Sequence, residues 1–66
     1  MFITYKGSSF QIRADNGLIL TIKQVPEEIS MATMSNGQVT VVARSGRTYI
    51  YRQIGNSPEF TFFRKY

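Results

Sequence analysis

The chain has 66 residues, eight lysines and arginines against four aspartates and glutamates, a net charge of +4, and neither cysteine nor histidine. A chain of that length holds one hydrophobic core, so residues 1–66 are expected to form a single small domain and a second domain is excluded. The missing residue types exclude a disulfide staple, a cysteine or histidine metal site and a thiol nucleophile, which leaves self-association as the common remedy for so small a core.

Apolar and polar residues alternate from end to end. The alternation predicts strands over 2–5, 9–14, 18–24, 30–34, 38–43, 47–54 and 60–65, with turns at Lys6-Gly7-Ser8, Asp15-Asn16-Gly17, Ser35-Asn36-Gly37 and Ser45-Gly46. No segment has the apolar spacing of a helix. Pro26 and Pro58, each followed by glutamate, start at most a single turn. The fold class is therefore all-β: a small antiparallel barrel or rolled sheet of six to seven strands.

A shift of 29 residues lays Phe10, Ile12, Ala14, Gly17, Leu20, Ile22 and Gln24 on Val39, Val41, Ala43, Gly46, Tyr49, Tyr51 and Gln53. This suggests two three-stranded meanders followed by a C-terminal strand. With Asp15-Asn16-Gly17 as a three-residue loop, Phe10, Ile12 and Ala14 share an inner face with Leu18, Leu20 and Ile22, whereas a two-residue loop scatters them. The same geometry in the second hairpin puts Val39, Val41, Ala43, Tyr49 and Tyr51 inward. Tyr49 and Tyr51 are then core residues, with stacking on a ligand as the competing role.

Gln11, Arg13, Thr21, Lys23, Thr40, Thr48 and Arg52 are left on the outer face, together with the apolar Ile19, Val42 and Ile50. Exposed apolar groups of this kind either pack within a closed barrel or meet a partner. The final strand, Phe60-Thr61-Phe62-Phe63-Arg64-Lys65, is dense in aromatics and ends in two cations that discourage uncontrolled edge pairing, so strand addition to a partner is open to it. The candidate protein interface is Ile19, Val42, Ile50 and Phe63.

The net charge lies in the second half of the chain, where Arg44, Arg47, Arg52, Arg64 and Lys65 face Glu59 alone. These five are the candidate polyanion site, with Tyr66 or a rim tyrosine available to stack on bases. Catalysis is not expected. The six serines have no imidazole to activate them, Glu27 and Glu28 have an ordinary role beside Pro26, and the glycines are spread singly rather than gathered in a phosphate loop. No cofactor or metal is called for.

The expected function is a non-enzymatic binding module that acts through protein–protein contact or as a homo-oligomer, using its outer sheet face and the C-terminal aromatic strand. The alternative is nucleic-acid binding by the basic second half. No apolar run reaches membrane-spanning length and MFITYKG lacks the features of a secretory signal, so a cytoplasmic location is the expectation.

Overall fold

In the computed structural model, which describes residues Met1–Tyr66, the chain forms seven strands and no helix. Strands β1 (Phe2–Lys6), β2 (Ser9–Arg13) and β3 (Ile19–Gln24) form one antiparallel sheet in the order β1-β2-β3. Strands β4 (Ile29–Ser35), β5 (Gln38–Ala43), β6 (Thr48–Gln53) and β7 (Phe60–Lys65) form the second, in the order β4-β5-β6-β7. The two meanders and the added strand are thus present, as a roll that does not close. With no helix, none is long and apolar enough to cross a membrane.

The β2–β3 and β5–β6 hairpins use the same three-residue loop. Ala14 N–H donates to Leu18 C=O and Gly17 N–H to Ala14 C=O, each at 2.8 Å; Ala43 N–H donates to Arg47 C=O at 2.8 Å and Gly46 N–H to Ala43 C=O at 3.0 Å. Gly17 and Gly46 have φ of 92° and 94°, a region that a side chain with a Cβ rarely enters, which is why glycine closes each loop.

The sheets are joined at one end and open at the other. The linker after β3 crosses to the second sheet while bonding the first hairpin: Val25 N–H donates to Ser8 C=O at 2.7 Å and Ile29 N–H to Gly7 C=O at 2.8 Å. β1 lies against β4, where the Tyr5 hydroxyl donates to Ser30 C=O at 3.1 Å. On the open side β3 and β7 end their sheets, each with one paired neighbour, as β1 and β4 end them on the side where the sheets meet.

The core lies between the sheets. Phe10 and Ile12 of β2 pack with Ile29 and Ala32 of β4, Val39, Val41 and Ala43 of β5, Tyr49 and Tyr51 of β6, Phe60 of β7, and the linker residue Val25. Phe10 meets the Tyr51 ring edge-on, with centroids 5.1 Å apart at 68°.

The register of the second hairpin is the expected one: Val41 faces Tyr49 and Val39 faces Tyr51, all inward and buried. That of the first hairpin is not. The ladder pairs Arg13 with Ile19 and Ile12 with Thr21, so β3 carries one extra residue at Leu20. Because side chains alternate across a strand, one extra residue turns over everything beyond it. Thr21 and Lys23 therefore share the inward face with Ile12 and Phe10, while Leu18, Leu20 and Ile22, expected in the core, are exposed by 62%, 39% and 61%. The inversion also leaves the Thr21 hydroxyl buried without a partner, a penalty of about 1–3 kcal/mol.

A chain this small rarely draws more than about 3–5 kcal/mol from its core, and truncating a buried phenylalanine to alanine costs about the same. Phe10→Ala is expected to abolish the cooperative urea transition. Ile22→Ala should stay within about 0.5 kcal/mol of wild type; equal losses for the two variants would contradict the inverted face of β3.

Candidate binding cavity between the free strand edges

Between the two end strands lies an open cavity of about 690 Å³, lined by Lys23, Gln24, Pro26, Tyr49, Tyr51, Phe62 and Lys65. Its floor comes from the second sheet. Tyr49 and Tyr51 point inward because they alternate with Ile50, and each stands opposite an inward valine of β5. Phe62 stands opposite Tyr51, and its ring centroid lies 5.7 Å from that of Tyr51 and 6.4 Å from that of Tyr49. Lys65, opposite Tyr49, supplies a cation from β7. Lys23 supplies another from β3, and it faces inward only because of the extra residue at Leu20.

Phe62 and Phe63 point to opposite faces. The ladder runs from Tyr51–Phe62 to Ile50–Arg64, so Phe63 is the extra residue of β7. It lies on the outer face, with the Arg52 guanidinium 3.6 Å from its ring centroid and that of Arg64 5.4 Å away. Such stacking is worth about 0.5–1 kcal/mol at an exposed site.

Glu27 braces one side of the cavity. Its carboxylate accepts hydrogen bonds from the Ser45 hydroxyl at 2.6 Å, from the Tyr49 hydroxyl, and from the Arg47 guanidinium at 3.3 Å. The Ser45 and Tyr49 bonds hold its pKa below the ordinary 4.5, with Arg47 adding to the effect. The same bond to Glu27, with burial, raises the Tyr49 pKa above 10.0; burial alone raises that of Tyr51. Both phenols are therefore protonated at neutral pH. Tyr49's proton is committed to Glu27, whereas the Tyr51 hydroxyl makes no hydrogen bond within the chain.

Three of the four carboxylates are engaged elsewhere: Asp15 with the Met1 ammonium at 2.8 Å, Glu27 with Arg47 and Glu28 with Arg44, the last two at 3.3 Å. Lys23 and Lys65 have no carboxylate partner. The cavity thus offers an aromatic and apolar floor between two uncompensated cations. It presents no nucleophile paired with a base, and no three metal-binding side chains come together anywhere in the chain.

The sequence candidates fall in several places. Ile19 is exposed on β3 and Phe63 on β7, Val42 is half-buried, and Ile50, expected on a surface, is only 7% exposed within the chain itself. Arg44 and Arg47 are paired with Glu28 and Glu27, Arg52 and Arg64 flank Phe63 on the outer face, and Lys65 faces the cavity. The five cations therefore do not form one surface. Lys23, Gln24, Pro26 and Phe62 were not singled out from the sequence; the surplus of aromatics in the last strand was the one signal that pointed near them.

Comparison with protein-family models, with curated proteins and with solved structures finds no match to this chain.

The Glu27 brace makes a testable claim about acid stability. A carboxylate whose folded pKa is depressed contributes stability above its unfolded pKa and loses it as pH falls through the folded value. Glu27→Gln is therefore expected to lower the melting temperature at pH 7. The difference from wild type should shrink as pH drops below 4.5, the ordinary value for the group. A difference that stays constant from pH 7 to pH 3 would show that the brace does not depend on ionised Glu27.

Proposed function

We propose that this chain is a non-enzymatic binding module that docks another polypeptide along the free edges of β3 and β7. The observation that carries this reading is the coincidence of two unpaired strand edges with the exposed apolar side chains. β3 and the residue before it display Leu18, Ile19, Leu20 and Ile22, and β7 with the residue after it displays Phe62, Phe63 and Tyr66. An end strand presents main-chain N–H and C=O groups to any chain laid beside it, and nearby apolar side chains add burial to that pairing. β7 carries Arg64 and Lys65 as guards against indiscriminate pairing, whereas β3 has no charge before Lys23. The docking surface proposed here is these edges rather than the outer sheet face, where Ile50 is already covered.

Nucleic-acid binding is the weaker reading because Arg44, Arg47, Arg52 and Arg64 are engaged with Glu28, Glu27 and Phe63. A strand edge also offers no readout of bases.

The test is retention of material from a source-cell lysate on immobilised protein, with high salt and nuclease as washes, beside an Ile22→Lys variant. Edge docking predicts bound polypeptide that survives both washes and falls at least tenfold with Ile22→Lys. A second copy of this chain counts as that polypeptide where light scattering gives a dimer that Ile22→Lys returns to monomer. Bound material that is salt-labile, nuclease-sensitive and weakened by Arg52→Glu instead would refute the reading in favour of nucleic acid.

A further inference from the structure

Building on the edge-docking reading, we propose that the partner is an acidic extended peptide segment that lies along β3 at Thr21–Gln24, seats an apolar side chain in the cavity, and sets carboxylates against Lys23 and Lys65.

Three features of the seam select this occupant. First, the cavity sits where the free edges are: Lys23 and Gln24 of β3 form one wall, Phe62 and Lys65 of β7 another, and Tyr49 and Tyr51 lie between. A segment paired with the β3 edge presents alternate side chains toward the cavity and away from it, as any strand does, so every second residue can reach the aromatic floor. The unused Tyr51 hydroxyl supplies a hydrogen-bond donor at that floor.

Second, the charge is one-sided. Lys23 and Lys65 have no carboxylate within the chain, and the nearest glutamate in sequence, Glu27, is already held by Ser45, Tyr49 and Arg47. An occupant that carries carboxylates supplies the partner these two lysines lack. A second copy fits poorly, since it also carries +4 and would bring two further unpaired lysines to the seam.

Third, the seam cations are lysines rather than arginines. A lysine ammonium is a point charge that suits a carboxylate at varied geometry, while the forked guanidinium that suits phosphate lies elsewhere, on Glu27, Glu28 and Phe63. An oligonucleotide would also leave the main-chain groups of the β3 edge without partners, whereas an extended peptide pairs with them.

The probe is an acetylated, amidated hexapeptide with glutamate, phenylalanine and glutamate at every second position and threonine between them, so that carboxylates and ring share the face turned to the cavity, titrated into the ¹⁵N-labelled full chain and followed by two-dimensional amide spectra. Expected are shifts concentrated at Thr21–Gln24, Tyr51, Phe62 and Lys65. Affinity should fall at least tenfold when glutamine replaces each glutamate of the peptide, and again when alternate peptide nitrogens are methylated to remove main-chain donors. A Lys23→Gln/Lys65→Gln variant, its fold checked by the same spectra, should lose affinity to the same extent as the glutamine peptide.

No shifts, equal affinity for the glutamine peptide, or shifts at these amides from oligothymidine and not from the peptide would each overturn the proposal. The edge-docking reading is judged separately. A lysate partner that still binds the double lysine variant but not Ile22→Lys overturns the acidic preference and leaves docking intact. A partner indifferent to Ile22→Lys removes both.

Discussion

One residue too many in β3 governs the character of this molecule. The extra residue at Leu20 turns the strand over beyond it, so that two polar side chains, Thr21 and Lys23, face inward and Ile22 faces out, with Leu20 itself exposed at the irregularity. In a closed barrel that exchange would be ruinous, since a lysine would enter a packed core. It is tolerable here because β3 ends its sheet and its inner face looks onto an open cavity. The open seam and the inverted strand therefore require each other: without the seam Lys23 could not point inward, and with Leu20 and Ile22 facing in, the seam would fill with apolar side chains.

The core left after this exchange is small and is shared unequally between the sheets. β2 contributes Phe10 and Ile12, but most of the buried side chains belong to the second meander and to the linker. What holds the first sheet in place is therefore partly polar: the main-chain bonds of Val25 and Ile29 to the first turn and the Tyr5 hydroxyl on Ser30. The Glu27 carboxylate extends the same tie to the far hairpin, where it gathers Ser45, Arg47 and the Tyr49 phenol around one charge. Each such bond adds about 1 kcal/mol or less when exposed, yet in a domain of marginal stability a few of them decide whether two sheets stay together.

Alternation and turn residues were enough to locate all seven strands within a residue or two, and the Gly17 and Gly46 loops were legible because glycine three residues beyond an alternating run has few other uses. The face of β3 was not legible. Leu18, Leu20 and Ile22 alternate with Thr21 and Lys23 in the manner of a half-buried strand, and the choice of inward face rested on the assumption that each strand has a core behind it. A strand at an open end has none. Ile50 failed in the opposite direction: as an outward residue of β6 it looked exposed, but it stands between Thr40 of β5 and Arg64 of β7 in the middle of the sheet and is nearly buried. The clustering of cations in the last third of the sequence misled for a related reason. Neighbours on a regular strand face opposite ways, so Lys65 turns into the cavity while Arg64 faces out, and the extra residue Phe63 lies on the outer side with it.

Every strand pairing in the molecule joins chain neighbours, and the longest connection is Ile54–Glu59. An all-β fold usually folds slowly because distant strands must find one another before their contacts repay the closure entropy. Here each hairpin can zip from its own turn, and the residues far apart in the chain meet where the sheets come together, in the core, at β1 and β4, and along the linker. The two meanders are thus separate cooperative units in waiting. Their docking is the step at which most of the closure entropy of this fold is met.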